Sequence, residues 1–302
     1  MPDPFSKQAP PYSIIIAVYD DWAVLEACLQ SLALQTNGPK FEVIIVDDGS
    51  TEPAPDFVRS SSVSYPLMLV PQPHSGIPAA RNRGIRNSKG AVLLFVDADS
   101  RLQTNCLAAL ASAINNSPQH NCFQLRLVGN CSNLVGRAEE LRLITFQHHV
   151  LQPDGRIRYL NTAGFAIRRT RVDIETGLFD PAALRAEDTL LLADLMQAGE
   201  LPLFVSDAIV EHYIPLSLAG CFRKDIRSAY LEGRTYNIIA SKGVRIRLTN
   251  RERLQLLLSM WKTARQPSIG RSAWVVLVVR QALQRTISLA YKCLRVGNAR
   301  RT

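Results

Sequence analysis

Asp97 and Asp99 stand one residue apart directly after the apolar run 92–96, in AVLLFVDADS. On an extended chain that spacing points both carboxylates to one side and Ala98 to the other. Two acids so close repel each other, and one would titrate high unless a cation shares them. A hard divalent ion, Mg2+ or Mn2+, held by one or two carboxylates and completed by substrate phosphates, is the chemistry this spacing suits. Standing alone, D-x-D also fits an acidic turn that merely ends a strand.

It does not stand alone. Asp47-Asp48-Gly49-Ser50-Thr51 ends an earlier apolar run and offers acceptors to a nucleobase or ribose, although Asp-Gly is also a common turn pair. Gly76 opens GIPAARNRG, which places Arg81 on a helix upstream of the D-x-D, where a guanidinium fits a diphosphate. Glu187-Asp188 precede the Leu-rich stretch 189–198. The positive end of a helix favours acids there, as it favours any acidic cap. His212 follows the last apolar run with a ring nitrogen able to bind metal, though an isolated histidine more often has a structural role.

These groups need elements to hold them. Residues 13–18, 43–46 and 92–96 are short, nearly continuous aliphatic runs, the pattern of strands covered on both faces of a parallel sheet. The spacing predicts helices over 22–34 and 77–87, with a weaker strand over 67–70 between them. Strand, helix, strand in repetition implies right-handed crossovers and a doubly wound α/β sheet. Ligands of such sheets bind beyond the carboxyl ends of the strands, and acids collect there: Asp20 and Asp21, Asp47 and Asp48, Asp97 and Asp99. Farther on, the pattern predicts a helix over 102–117, strands over 122–127 and 157–167 with a turn at 153–155, a helix over 189–198 and a last strand over 203–210. Basic amphipathic helices follow, such as 250–265 with Leu254, Leu257, Leu258 and Trp261 on one face.

The 302 residues carry 35 Lys+Arg and 26 Asp+Glu, a formal charge of +9, with 47% apolar and 20% charged residues. Disordered and collagen-like classes are excluded. Residues 1–215 hold 17 basic and 23 acidic side chains, net −6, whereas 216–302 hold 18 and 3, net +15. The positive charge therefore belongs to the tail alone. It suits an anionic membrane surface, or else a helical cap or homodimer contact with a solvated basic face. No zinc module or aromatic-interleaved patch points to nucleic acid, which is not expected as a partner. Cysteines at 28, 106, 122, 131, 221 and 293 show no C-x-x-C or zinc spacing and read as reduced, mostly buried thiols of a cytoplasmic protein. The first residues carry no apolar segment of a secretory signal, and the apolar run 273–279 falls far short of the roughly 20 residues of a spanning helix.

In order along the chain, SIIIAVYDDWAVLEACLQSL at 13–32, FEVIIVDDGSTE at 41–52, GIPAARNRGIRNSKGAVLLFVDADS at 76–100, NTAGFAIRRTRVDIETGLFDP at 161–181 and AEDTLLLADLMQAG at 186–199 resemble the family 2 glycosyltransferases. The resemblance implies the GT-A fold, a Rossmann-like, doubly wound mixed sheet, here with a C-terminal basic helical extension. It also implies transfer of a sugar from a nucleotide-diphosphate donor, UDP-linked in most relatives, to a hydroxyl of a glycan or lipid-linked saccharide, with inversion. Carried onto this chain, Ala17, Tyr19, Asp47 and Asp48 hold the nucleoside, and Gly76 and Arg81 belong to the donor site. Asp99, helped by Asp97, would bind metal-diphosphate, and Asp188 of the Glu187-Asp188 pair would be the general base; His212 is the further metal ligand that the residues themselves suggest. Asp20 departs from the Asn usual after the first-strand Tyr. The Gln/Arg-x-x-Arg-Trp element of processive members is missing, which favours a non-processive enzyme.

The expected organisation is an N-terminal tail over 1–11, a catalytic domain over 12–215 split into a nucleotide-sugar half (12–100) and an acceptor half (101–215), and a helical extension over 216–302. The enzyme is expected in the cytoplasm, peripheral at the inner face of the membrane. A nucleotidyltransferase would want a Gly-rich phosphate loop after the first strand, which 17–21 lack. An inactive relative that binds nucleotide-sugar or a membrane is the alternative, opposed by the joint presence of D-x-D, Glu-Asp and His212. Donor choice is expected to depend on the loop 59–73 and on 161–165.

Overall fold

β1 (Tyr12–Val18), β2 (Phe41–Asp47), β3 (Leu67–Pro71) and β4 (Val92–Phe95) are the aliphatic runs of the sequence, and they pair in parallel. α1 (Trp22–Ala33), the short α2 (Asp56–Arg59) and α3 (Ile77–Asn87) make the crossovers. The computed structural model describes residues 11–59, 63–130, 133–183, 185–213 and 217–299. The expected tail, except residue 11, residues 60–62 of the 59–73 loop, Cys131 and the expected boundary at 215–216 lie outside the described residues.

After D-x-D come β5 (Ser100–Leu102), α4 (Cys106–Asn116), β6 (Cys122–Gly129), α5 (Leu134–Val150), β7 (Phe165–Arg168), α6 (Glu187–Gln197) and β8 (Leu203–His212). The strands form one eight-stranded sheet in the order β3-β2-β1-β4-β7-β6-β8-β5, with β7 antiparallel to both β4 and β6. This is the mixed, doubly wound α/β sheet expected. The chain steps outward from β1 to β3, then returns through α3 to β4 on the other side of β1. That reversal opens the crevice in which such sheets bind ligands. Ile14, Ile15, Ile16, Ile44, Ile45, Leu93, Phe95, Phe123 and Phe165 are buried to within 1% and form the interior. A Cβ on Gly84 would lie 2.4 Å from Ile15 Cγ2, so glycine lets α3 sit directly on β1.

Contacts gather the chain into two units, one of residues 1–126, 160–181 and 202–210, the other of 127–159, 182–201 and 211–302. The second includes three C-terminal helices, α7 (Leu218–Ser241), α8 (Asn250–Thr263) and α9 (Arg271–Ala299). In its interior Ala138 and Leu141 of α5, Leu256 and Met260 of α8, and Ala273 and Leu277 of α9 pack together. Arg280 forks onto buried Asp225, Nε–Oδ2 2.7 Å and Nη2–Oδ1 3.0 Å, so this basic residue of the tail is an internal tie rather than a solvated charge. Thr249 and Glu252 close a capping box at the start of α8.

Several expectations need correction. The expected helix over 102–117 begins at Cys106, because Leu102 belongs to β5. Of the strand expected over 157–167, only β7 forms; Ile157 makes an isolated bridge to Leu151, and 162–164 is a 3-10 turn. α5 was not foreseen, because Glu139, Thr145 and Gln147 are buried on it and break the apolar stripe. The D-x-D lies beyond the end of β4, in a turn where Ser100 N donates to Asp97 O at 3.0 Å. Turn geometry, not strand alternation, therefore brings its carboxylates together.

Candidate active site

The acids after β2 divide the work unequally. Asp48 is buried, 3% exposed, and accepts four contacts from the loop that leads into α3. Gln72 Nε2 (2.6 Å) and Ser75 N (2.9 Å) donate to Oδ1, and Gly76 N (2.9 Å) donates to Oδ2. His74 Nδ1 lies 3.0 Å from Oδ2. Asp48 thus fastens segment 72–76 and stands at the positive end of α3, where a carboxylate is stabilised. Gly76 can cap that helix because its φ of 88° suits a residue without Cβ. Asp47 accepts Ser50 N at 2.9 Å through Oδ1 and is the more exposed acid of the pair.

His74, held by Asp48, faces Tyr19 with ring centroids 4.3 Å apart and a 33° tilt. Tyr19 is 43% exposed, so the pair offers an aromatic surface to solvent at the ends of β1 and β3. Ala17 packs against Ile44, Val46, Val70 and Ala80. Asp20 has a left-handed backbone, φ 56°, and accepts from Thr51 N at 2.7 Å and Thr51 Oγ1 at 3.0 Å. Asp20 thus meets two demands of its position, a left-handed φ and a short polar side chain.

At the D-x-D turn, Arg81 on α3 is almost fully buried and donates from Nη2 to Asp97 Oδ1 at 2.9 Å. Its guanidinium lies 5.5 Å from the centroid of Phe179, which packs edge-on against Phe95. Asn82, next to Arg81, donates to Phe179 O at 2.6 Å and accepts from Leu178 N and Phe179 N. The expected diphosphate partner of Arg81 is thereby joined by a protein partner, and part of the repulsion within D-x-D is already neutralised. Cys28 Sγ lies 3.8 Å from Asp97 O, and burial together with the charges of Asp99 and Asp97 pushes its thiol well above the usual range. Cys28, Cys106, Cys122 and Cys221 are free, buried thiols.

β8 runs two residues farther than expected and ends at His212. Asp97 and Asp99 each present a carboxylate oxygen, and the two atoms lie within 4.8 Å of each other, whereas His212 belongs to the other unit. Two carboxylate oxygens so placed make a donor pair that fits Mg2+ or Mn2+. Glu187 and Asp188 occupy the first turn of α6, and Asp188 Oδ1 accepts Thr189 N at 2.6 Å. Gln72, His74, Asn82 and Phe179 were not singled out from the sequence. Asn82 inside GIPAARNRG, Phe179 inside the segment 161–181 and Gln72 inside the loop 59–73 lay in segments that already stood out; His74 did not.

The model of the family described as glycosyl transferase family 2 matches residues 13–177. The chain belongs to this family. It shares 38% identity over 146 residues with a PGL/p-HBAD biosynthesis glycosyltransferase of Mycobacterium bovis, 47% of this chain and 57% of that protein. It shares 38% over 90 residues with glycosyltransferase AglE of Haloferax volcanii, 29% and 30% of the two chains. The matched segments thus span little more than half the length of these relatives at most. Among solved structures, Pyrobaculum calidifontis mannosyltransferase PcManGT, in complex with GDP-Man and Mn2+, superposes with a TM-score of 0.58 at 18% identity, covering 98% of this chain and 83% of that one. S. aureus TarS 1-349 in complex with UDP gives 0.55 at 20%, covering 93% and 91%. The chain therefore has the GT-A fold.

Proposed function

We propose that this glycosyltransferase moves a sugar from a nucleotide-diphosphate donor, UDP-linked by preference, to one hydroxyl of a glycan or lipid-linked saccharide, with inversion and without processive elongation. The observation that carries the reading is the pair of carboxylates, Asp97 and Asp99, held within reach of one ion at the D-x-D turn beyond β4. Asp47 accepts from the nucleoside, and Tyr19 offers it a ring face beside the backbone around Ala17. Asp48 acts through the 72–76 segment that it holds. Asp97 and Asp99 would hold a divalent ion, which would supply charge neutralisation for the departing diphosphate. Asp188 removes the acceptor's proton while the hydroxyl oxygen bonds to the anomeric carbon opposite the leaving diphosphate; Glu187 flanks it. One displacement inverts the centre and needs no covalent enzyme intermediate. The catalytic domain spans 12–215 in this reading, with the nucleotide-sugar half in 12–100, the acceptor half in 101–215 and the helical extension in 216–302.

Titration calorimetry of UDP- and GDP-sugars with Mn2+, Mg2+ or EDTA, on wild type and Asp99→Asn, tests the proposal. Metal-dependent binding of one nucleotide class, weakened about tenfold or more in the variant, is expected. Absence of binding with every metal and nucleotide would leave the inactive relative as the better account.

A further inference from the structure

Leu254 and Leu258 of α8 are 60% and 54% exposed, and Val275 and Val279 of α9 are 53% and 49% exposed. Each pair is spaced four residues apart, so each forms a short apolar stripe on one helix face. Those faces are turned away from the interior of their own unit, which takes Leu256, Met260, Ala273 and Leu277 from the same helices. On α8 the stripe runs between exposed Arg251 on one side and exposed Lys262 and Arg265 on the other; on α9 exposed Arg271 stands one turn before Val275, and exposed Arg285 follows Val279. Arg265 and Arg271 both lie under 6 Å from the Trp261 ring, at 5.8 and 5.7 Å, and Trp261 packs edge-on against Trp274 at 5.0 Å. The C-terminal end of one stripe and the N-terminal end of the other therefore meet at an aromatic and cationic corner.

Acids are almost missing from this surface. After Glu252 the chain has no Asp or Glu at all, and Glu252 is engaged by Arg158 at 2.7 Å and Arg245 at 3.1 Å. Among the described residues no helix is long and apolar enough to cross a membrane. Exposed aliphatic pairs framed by Lys and Arg, with Trp at the junction, have the composition of a helix that lies in the bilayer interface. A second copy is a poor occupant, because it would bring two surfaces of a +15 segment together.

We propose that α8 and α9 form an interfacial docking surface for an anionic lipid bilayer, with Leu254, Leu258, Val275 and Val279 entering the acyl boundary and the flanking Arg and Lys side chains meeting lipid phosphates. Basic side chains beside a membrane gain from its negative surface potential, an attraction that salt screens. The inference goes beyond the sugar-transfer reaction and does not depend on it.

The test is co-sedimentation of the full chain with phosphatidylcholine vesicles, with and without phosphatidylglycerol, at low and high salt. Wild type is expected to bind only the anionic vesicles and to be released by salt. Leu254→Glu/Leu258→Glu, both exposed and so compatible with folding, is expected to weaken binding about tenfold or more at unchanged melting temperature. Arg265→Glu/Arg271→Glu is expected to weaken it comparably. Failure to bind anionic vesicles overturns the proposal, as does binding that ignores the leucine pair. A homodimer in light scattering that the leucine variant dissociates would overturn it in favour of a second copy. Duplex DNA or RNA that binds more tightly than the vesicles and displaces them would overturn it in favour of nucleic acid.

Discussion

Arg81 Nη2 and Asp97 Oδ1 are 2.9 Å apart, a pairing that gives the front acid of the D-x-D turn a permanent buried counter-charge. The acid is one-third exposed while the arginine is almost sealed, so the arginine depends on the pair more than the acid does. Arg81→Met is expected to destabilise the fold by about 1–3 kcal/mol, less than for a fully buried pair because water reaches Asp97. Asp97→Asn in the same chain should cost less than the sum of the two single changes, since neither partner is then left charged. Urea unfolding of the four proteins of this cycle measures the coupling; strict additivity would mean that the pair carries no net interaction.

Asp48 and Asp47 are neighbours with different tasks, and substitution separates them. Asp48→Ala leaves Ser75 N and Gly76 N without their acceptor, at roughly 1–3 kcal/mol for each stranded donor, and frees the segment that carries His74. The melting temperature and nucleotide affinity are expected to fall together. Asp47→Ala loses the bond from Ser50 N and should lower nucleotide affinity with a much smaller change in melting temperature. Thermal shift with and without UDP distinguishes the two patterns.

The sheet was readable because β1, β2 and β4 are covered on both faces and so appear as unbroken aliphatic runs, and α3 matches its expected bounds residue for residue. Asp97, Asp99 and His212 could be named as candidates because each follows an apolar run of the sequence. The division of labour between Asp47 and Asp48 could not be read. It depends on partners 24 to 28 residues away, at Gln72, His74, Ser75 and Gly76, and on which acid the sheet buries. Asn82 ties to Phe179 across 97 residues, a distance at which sequence pattern carries no signal. α5 escaped for the same reason: its buried Glu139 and Gln147 make sense only with Arg142 and the backbone of Leu127 beside them.

Asp188 is a separate case, since its position in the first turn of α6 fits both a cap and a base. Asp188→Asn keeps a polar side chain able to accept Thr189 N, so the start of the helix should survive with a change of less than about 1 kcal/mol. On the proposed role, proton removal from the acceptor is lost with the carboxylate, and turnover is expected to fall by about 10²- to 10⁴-fold while donor affinity stays within about twofold. Transfer assays beside donor titrations decide the matter. A loss of donor affinity equal to the loss of rate would make Asp188 a binding group.

Glu139 provides the pH dependence. Burial raises its pKa, but the charge and paired hydrogen bonds of Arg142, with His212 and Arg280 adding to them, outweigh that effect and hold the carboxyl at about 2 instead of the usual 4.5. A carboxyl depressed in the folded state is protonated first in the unfolded chain, so the unfolded state binds more protons in this window and stability rises with pH. The contribution is complete above about 4.5 and is lost as pH falls toward 2, a span worth about 3 kcal/mol. Glu139→Gln, which keeps an acceptor for Arg142 but carries no charge, removes that titration. The stability gap between wild type and Glu139→Gln in urea unfolding is expected to be widest near neutral pH and to close as the solution is acidified. A gap that stays constant between pH about 6 and 3 would show that Glu139 does not titrate in the folded protein as its surroundings require.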